Sequence, residues 1–305
     1  MIEIAIMAGL GYAIRALRSD GPASRRIFVD GASPGAPPTS SFDGIQIAAS
    51  LPEKAGSARE NALLALAESG QIPTPLLTAV TYMKGGHSVE IFPSTDALML
   101  GTDRPVRLTA RHTTAQRLAD FFGMVLPTSL MSDQAWLAAT KIAPLTGLQG
   151  PNAGDTATFV TNSQRVDAAV SKAGVVPGVL VRPTGKDWVN TERLLQANGS
   201  VTRSKDDPGT DAVANFGWHQ KGAQSRSPGG LAVIQSVGLV HNLPFVDYSQ
   251  VVTLYGPTVI IDDGAPENVV DVLRDPERAF LLSDEVGKGQ AARVVRHPDV
   301  PLEIA

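Results

Sequence analysis

The sequence LTAVTYMKGGHSVEIF at residues 77–92 has the pattern of a β-hairpin. Two runs rich in β-branched and aromatic residues flank Gly85 and Gly86. Glycine adopts the positive φ angles that a tight connection between antiparallel strands needs. The segment therefore predicts two paired strands, and the apolar stretches at 97–100 and 106–108 predict further short strands.

Helix signals lie on both sides of this hairpin. Ser57 and Glu60 have the spacing of a capping box, and the apolar positions after them predict a helix that closes at Gly70. Downstream, Thr114 and Ser132 each precede a helical apolar pattern and are the predicted N-caps of two more helices. Residues 53–150 are thus predicted to form an α/β region.

The first 18 residues contain an apolar run that is followed by several arginines. We predict a short helix over residues 1–18, which docks on a partner, packs in the core or anchors the chain to a surface or membrane. A secretory signal would carry its positive charge before the apolar run, whereas Glu3 precedes it here. The sequence contains no apolar stretch of the roughly 20 residues that cross a bilayer.

Residues 19–52 are rich in Gly, Pro and Ser, which predicts an extended arm. Only 26–29 and 45–47 have the composition of short strands. An apolar helix followed by such an arm is suited to tethering a chain, so residues 1–50 are predicted to attach to a protein assembly. A disordered terminus is the alternative interpretation.

The C-terminal half, residues 151–305, has a mainly β pattern. Its predicted helices lie near 164–172 and 269–273, and its predicted strands are 156–161, 178–182, 212–216, 231–234, 245–248, 251–254 and 259–261. The predicted fold class is α+β, with a helix-rich N-terminal part and a mostly β C-terminal half, preceded by the arm of residues 1–52.

Composition excludes several classes of function. The chain has 305 residues, no cysteine and a net charge of −4. Without cysteine, disulfides, thiolate catalysis and cysteine metal sites are ruled out. No Lys/Arg-rich run provides the positive surface typical of a general nucleic-acid binder.

Four residues of the C-terminal half are candidates for chemistry: His219, His241, Asp247 and Ser249. Each histidine ends a β-like stretch rich in Gly and aromatic residues, and site residues often lie in the loops after strands. Asp247 lies in an apolar segment, where a carboxylate needs a partner. It either orients a histidine, binds a cation, acts as a base or bonds local backbone. His87 and His297 are predicted to be surface residues.

A metal site is one possible use of these residues. His219, His241 and Asp247 together would make an acceptable catalytic zinc set with one position left for water. Ser249 would need a histidine within hydrogen-bond reach to act as a nucleophile, and no G-x-S-x-G elbow surrounds it. A structural role for each residue is the alternative.

Several short motifs resemble those of a largely uncharacterised family of bacterial and phage-borne proteins. The motifs are residues 114–120 (TAQRLAD), 126–128 (LPT), 215–219 (NFGWH), 245–250 (FVDYSQ), 273–276 (LRDP) and 281–285 (LLSDE). The resemblance spans about residues 55–290 and implies a hydrolase-like site at the motif histidines. Gln250 and Thr184 stand where that pattern has histidines, and glutamine cannot titrate near neutral pH, while threonine is a poor zinc ligand. If those histidines are essential in the family, this chain is a degenerate member used for structure or binding.

Two functions follow from these observations. The first is a cell-wall- or glycan-directed hydrolase carried on a virion or a bacterial surface, with His219, His241 and Asp247 holding a water, a metal or a base. The second is a non-catalytic structural protein of such an assembly, with a degenerate site. A virion or extracytoplasmic location is favoured by both.

Overall fold

The computed structural model describes residues 5–8, 12–16, 26–30, 41–143, 145–148 and 152–300. The helices are α1 Gly44–Ser50, α2 Ser57–Glu68, α3 His112–Phe121, α4 Ser129–Ala138, α5 Thr156–Lys172 and α6 Val269–Arg274, with single 3-10 turns at Glu192–Leu194 and Ala279–Leu281. The strands up to residue 141 are β1 Ala5–Ala8, β2 Tyr12–Ala16, β3 Arg26–Asp30, β4 Leu77–Thr78, β5 Val80–Lys84, β6 His87–Ile91, β7 Met99–Leu100, β8 Val106–Arg107 and β9 Thr140–Lys141. The later strands are β10 Val181–Arg182, β11 Lys186–Trp188, β12 Asn215–His219, β13 Ser225–Arg226, β14 Ala232–Gly238, β15 Thr258–Ile261 and β16 Glu267–Asn268. This mixture of helices and antiparallel sheets confirms the predicted α+β class.

The predicted hairpin is confirmed as β5 and β6, which pair antiparallel from Val80↔Ile91 to Lys84↔His87. The connecting Gly85 and Gly86 have φ angles of 58° and 89°. On its other edge β6 pairs with β15, and the sheet has the order β16-β15-β6-β5. Segments from both halves of the chain therefore share one sheet.

The N-terminal segment differs from its prediction. Strands β1 and β2 lie within residues 1–18, where we predicted a helix, and they pair antiparallel. A short apolar run does not by its periodicity distinguish helix from strand. Here the strand-like segment at 26–29, confirmed as β3, supplies the partner of β2 and continues the pairing to β4.

The predicted arm also contains a helix, α1, in place of the strand expected at 45–47. The Asp43 carboxylate caps this helix by accepting from Ile45 N at 3.0 Å. Ile47 and Ala48 are buried in the larger apolar core. A β carbon at Gly44 would lie 2.2 Å from the Leu100 carbonyl oxygen, so only glycine permits this close approach of α1 to β7.

Three predicted helices are confirmed as α2, α3 and α4, but their predicted caps are not. The Ser57–Glu60 box does not form, because Glu60 Oε2 accepts from Arg111 N at 3.0 Å instead. Helix α3 begins earlier than Thr114, after Arg111. Helix α4 is capped by Thr128, which leaves Ser132 inside the helix with its hydroxyl free for other contacts.

In the C-terminal half, α5 replaces the predicted strand at 156–161 and the helix after it. Its 17 residues bury one face that includes Phe159, Val166 and Ala169, and this helical spacing outweighs the β propensity of the threonines. The predicted strand at 245–248 is likewise wrong, because this segment is irregular and leads into a turn at 248–249.

The second major sheet has the order β11-β12-β14-β13 and is antiparallel. Every residue of its central strand β12 is buried. The register shifts between Asn215 and Gly217, a β-bulge that coincides with φ angles of 103° at Gly217 and 49° at Trp218. Because a bulge changes the direction of the side chains near it, it sets the face of the sheet on which the His219 side chain lies.

Candidate functional site

The candidate site lies where helix α4 packs on strand β12. Helix α4 contributes Ser132 and Asp133, and β12 contributes His219 from its last position. The Asp133 carboxylate lies 2.6 Å from His219 Nε2. The two side chains are 2% and 4% exposed, so this pair is screened from water on nearly all sides.

Aromatic rings fix the orientation of the His219 imidazole. Trp136 is stacked on it at 5.1 Å between centroids, and Phe216 meets it edge-on at 5.6 Å. On Trp136, the Lys141 ammonium lies 5.1 Å from the ring centroid. Because the ring is clamped and Asp133 accepts at Nε2, we assign the proton of the neutral imidazole to Nε2 and the lone pair to Nδ1.

The Nδ1 atom faces Gly217. A β carbon built on Gly217 would lie 3.7 Å from Nδ1 and 3.9 Å from Ser132 Oγ. Among the described residues, Nδ1 has no hydrogen-bond partner. The Ser132 hydroxyl itself donates to Asp187 Oδ2, so its proton is directed away from His219. The arrangement therefore contains a base nitrogen that is oriented by an acid and has its lone pair available.

Further ionisable groups surround this pair. Lys84 donates to Asp284 Oδ1, and Tyr82 Oη donates to the Leu281 carbonyl oxygen at 2.7 Å. Burial raises the pKa of Tyr82, and the negative Asp284 raises it further.

Tyr255 is a second buried tyrosine, and its pKa is affected by three of the charged residues. Burial raises its pKa first, followed by the negative charge of Asp187, while Arg182 opposes the rise and Asp133 adds to it. Arg182 is held by carbonyl oxygens, including that of Ser94 at 3.0 Å. Both tyrosines are thus neutral hydrogen-bonding groups around neutral pH.

His241 lies apart from the Asp133–His219 pair. Its Nδ1 is 3.0 Å from Asp206 Oδ2, and its ring is stacked on Phe245. Burial lowers the pKa of His241, the hydrogen bond that it donates to Asp206 opposes this, and the weaker effects of Lys186 and Asp247 lower and raise the pKa respectively. His241 is therefore held by Asp206, and His219 by Asp133.

Asp247 and Ser249 form a local turn. Asp247 Oδ1 accepts from Ser249 N at 2.7 Å and from the Ser249 hydroxyl. The Gln250 side chain accepts from Asp247 N at 2.6 Å, and Lys186 Nζ lies 3.9 Å from Asp247 Oδ2. The Ser249 hydroxyl is thus engaged by a carboxylate that bonds local backbone, which is one of the roles considered for Asp247 from the sequence.

The other histidines divide into two kinds. His87 is half exposed and pairs with the Asp262 carboxylate at 2.7 Å. His297, predicted at the surface, is instead completely buried, and its ring lies 4.7 Å from that of His112. Its Nε2 donates to the Ala212 carbonyl oxygen, and its Nδ1 accepts from Asp299 N, so the neutral form satisfies both nitrogens.

Within the described residues, no group of three or more His, Asp or Glu side chains has the geometry to hold a metal ion. In the same part of the chain, no helix combines the length and apolarity needed to cross a bilayer. Thr184 is buried, and Gln250 is engaged with the Asp247 backbone.

Sequence reasoning missed Asp133, Asp187, Asp284 and Ser132. One signal was present for Asp133, which interrupts a predicted helix of apolar residues and therefore needs a partner. Asp187 lies in the short strand β11 and Asp284 in the 281–285 motif, and in neither segment did the sequence single out the carboxylate. Comparisons with protein-family models, curated proteins and solved structures found no match to this chain.

Proposed function

We propose that this chain is a hydrolase in which the Asp133–His219 pair is the general base. The single observation that carries the proposal is the 2.6 Å contact between Asp133 Oδ1 and His219 Nε2, with His219 Nδ1 left without a partner among the described residues. A buried carboxylate that orients a histidine is a recurrent device for proton transfer.

In the proposed reaction, His219 Nδ1 accepts a proton from a water molecule as the water oxygen attacks the substrate. Asp133, which accepts from Nε2, stabilises the imidazolium that forms when Nδ1 is protonated and keeps the ring in place. The imidazolium then returns the proton to the leaving group, which restores the neutral base. The proton balance closes without any further cofactor.

Water is a better nucleophile candidate here than Ser132. The Ser132 hydroxyl donates to Asp187, so its proton does not point at His219. A serine nucleophile needs its hydroxyl hydrogen-bonded to the base that activates it. Ser132 and Asp187 instead supply acceptor lone pairs and negative charge beside the base.

The substrate class we propose is a cell-wall or other glycan. Support comes from the motif resemblance at residues 215–219 and 245–250. We propose that residues 1–50 attach the chain to a virion or cell-surface assembly. Strands β1 to β3 join the rest of the chain through the pairing of β3 with β4.

The test is a hydrolysis assay on peptidoglycan and on a panel of glycans, with wild type, His219→Gln and Asp262→Asn. Wild type and Asp262→Asn should hydrolyse the same substrate, because Asp262 is an exposed partner of His87. His219→Gln should be inactive with an unchanged circular dichroism spectrum. An inactive wild type across the panel, or an active His219→Gln, would overturn the proposal.

The second candidate is a non-catalytic structural protein of the same kind of assembly. Burial favours it, because a base whose side chain is 4% exposed requires movement before a substrate reaches it. In that case the Asp133–His219 pair only joins α4 to β12. Normal assembly combined with inactivity of the wild type would support this candidate.

A further inference from the structure

Two carboxylate oxygens near His219 are buried without hydrogen-bond partners. They are Asp133 Oδ2 and Asp284 Oδ2, for which no donor exists among the described residues. The other oxygen of each group is used, by His219 for Asp133 and by Lys84 for Asp284. A buried carboxylate oxygen without a donor costs stability, so both atoms have capacity for a ligand.

Both oxygens point towards the glycine turn at residues 227–230. A β carbon built on Gly229 would lie 2.8 Å from Asp133 Oδ2 and 3.4 Å from Asp284 Oδ2, with Ser227 Oγ at 3.7 Å. Gly229 covers the two oxygens with a CH₂ group, which is at best a weak donor. The neighbouring Gly230 has a φ of 86°, as expected for a tight turn, and Ser227 Oγ spans the turn by accepting from Leu231 N at 3.0 Å.

The charges around this turn do not balance. Two carboxylates, Asp133 and Asp284, lie beside the turn, and Lys84 is the cation that pairs with one of them, Asp284. Excess charge in a medium of low dielectric favours an added cation much more than it would in water.

We propose that Asp133 Oδ2 and Asp284 Oδ2 bind a divalent cation, which enters when the 227–230 turn withdraws. Hard cations such as Mg²⁺ and Mn²⁺ are commonly held by one or two carboxylates, with water completing the shell. The Ser227 hydroxyl is the nearest further oxygen. The cation replaces the Gly229 CH₂ group as the partner of both carboxylates and takes up the excess negative charge.

The proposal uses the site of the proposed hydrolase but does not rest on turnover. Asp284 has no role in the proton transfer proposed above, and His219 Nδ1 faces Gly217 rather than the turn. Cation binding can therefore be measured on the whole chain without any substrate. If the chain fails to hydrolyse a substrate, its cation binding can still be measured, and the reverse also holds.

The experiment is titration of the full chain with Mn²⁺, followed by electron paramagnetic resonance of the free ion, and with Mg²⁺ by calorimetry. Wild type should bind one ion, and Asp284→Asn should weaken binding at least tenfold. Lys84→Met should strengthen it several-fold, because the ammonium that competes for Asp284 is removed. Asp262→Asn, which removes an exposed carboxylate elsewhere, should bind as wild type does.

Opposite shifts for Lys84→Met and Asp284→Asn would not arise from a general loss of structure. The proposal is overturned if wild type binds no Mn²⁺, if Asp284→Asn binds it unchanged, or if Lys84→Met fails to tighten binding. His219→Gln should still bind the ion, so a failure of the hydrolase proposal is distinguished from a failure of this one.

Discussion

His219 and His112 are both buried histidines on opposite sides of the C-terminal sheet, and their surroundings differ completely. His219 has a carboxylate 2.6 Å from its Nε2. His112 lies in an apolar setting, edge-on to Trp188 at 5.3 Å and beside His297, and neither of its ring nitrogens has a well-formed hydrogen bond among the described residues.

The difference shows how the same side chain is given two roles. Burial lowers the pKa of His112 well below its ordinary value, and the neighbouring His297 lowers it further, while the Val189 backbone is the smallest of the three influences. His112 is therefore a neutral packing group. The Asp133 carboxylate holds the His219 ring in one orientation, whereas His112 has no such partner among the described residues.

The largest expected effect comes from replacing Asp133, the carboxylate partner of His219. Asp133→Asn preserves shape but removes the acceptor charge and favours the other imidazole tautomer. If His219 is the base, kcat/KM should fall by about 10²–10⁴. The matched change on the other side, His112→Asn, should leave kcat/KM of the folded protein within about twofold, and equal losses in both variants would contradict the assignment of roles.

Stability gives the next effect in size. His219→Leu leaves Asp133 buried and unpaired, which should cost about 3–5 kcal/mol in the free energy of unfolding. His112→Leu removes two ring nitrogens that have no good partners, so its cost should be within about 1 kcal/mol. Urea unfolding at pH 7.5 measures both, and a larger loss for His112→Leu would reverse the comparison.

The pH dependence of stability tests whether His112 and His297 are neutral in the folded protein. Burial lowers the pKa of His112 and of His297, and for His297 it outweighs the opposing effects of Asp299 and Asp211. The unfolded chain therefore binds more protons below about pH 6.5, so stability is full above that value and falls as the pH drops. Each histidine should contribute a slope of up to about 1.4 kcal/mol per pH unit.

The measurement is urea unfolding of wild type and His112→Leu between pH 7.5 and 4.5. The variant should show a shallower loss of stability over this range. A wild-type free energy of unfolding that stays constant or rises on acidification would exclude neutral buried histidines as the cause.

The smallest expected effect concerns the local turn at Asp247. Asp247→Asn retains an oxygen that accepts from Ser249 N, so the free energy of unfolding should fall by only about 1 kcal/mol. The activity of the variant should equal that of wild type, because the base is His219. A loss of activity as large as that of Asp133→Asn would restore Asp247 to the catalytic set.

Much of the fold could be predicted where local chemistry is decisive. The Gly85-Gly86 hairpin, the helices α2, α3 and α4, and the strand β3 follow from turn residues and apolar spacing. The errors fall where distant packing decides. α1 forms because Gly44 lets it approach Leu100, and Thr156 begins a helix because its face is buried.

The candidate site could be predicted only in part, for a related reason. His219 stands out in the sequence because it ends a Gly- and aromatic-rich strand. Its partner Asp133 lies 86 residues earlier, on a helix whose contact with β12 no local pattern predicts. Asp247 is a candidate in the sequence because its neighbours are apolar, but its carboxylate finds a hydrogen-bond partner in Ser249, two residues later.

The pairing of β6 with β15 has a consequence for the order in which the chain folds during synthesis. The Tyr82 hydroxyl meets the Leu281 carbonyl 199 residues later in the sequence. At translation rates of about 5–20 residues per second, the first hairpin waits roughly 10–40 seconds for these partners. The exposed edge of β6 must therefore be protected on the ribosome, and folding of the whole chain is expected to be slow because its contacts are so distant in sequence.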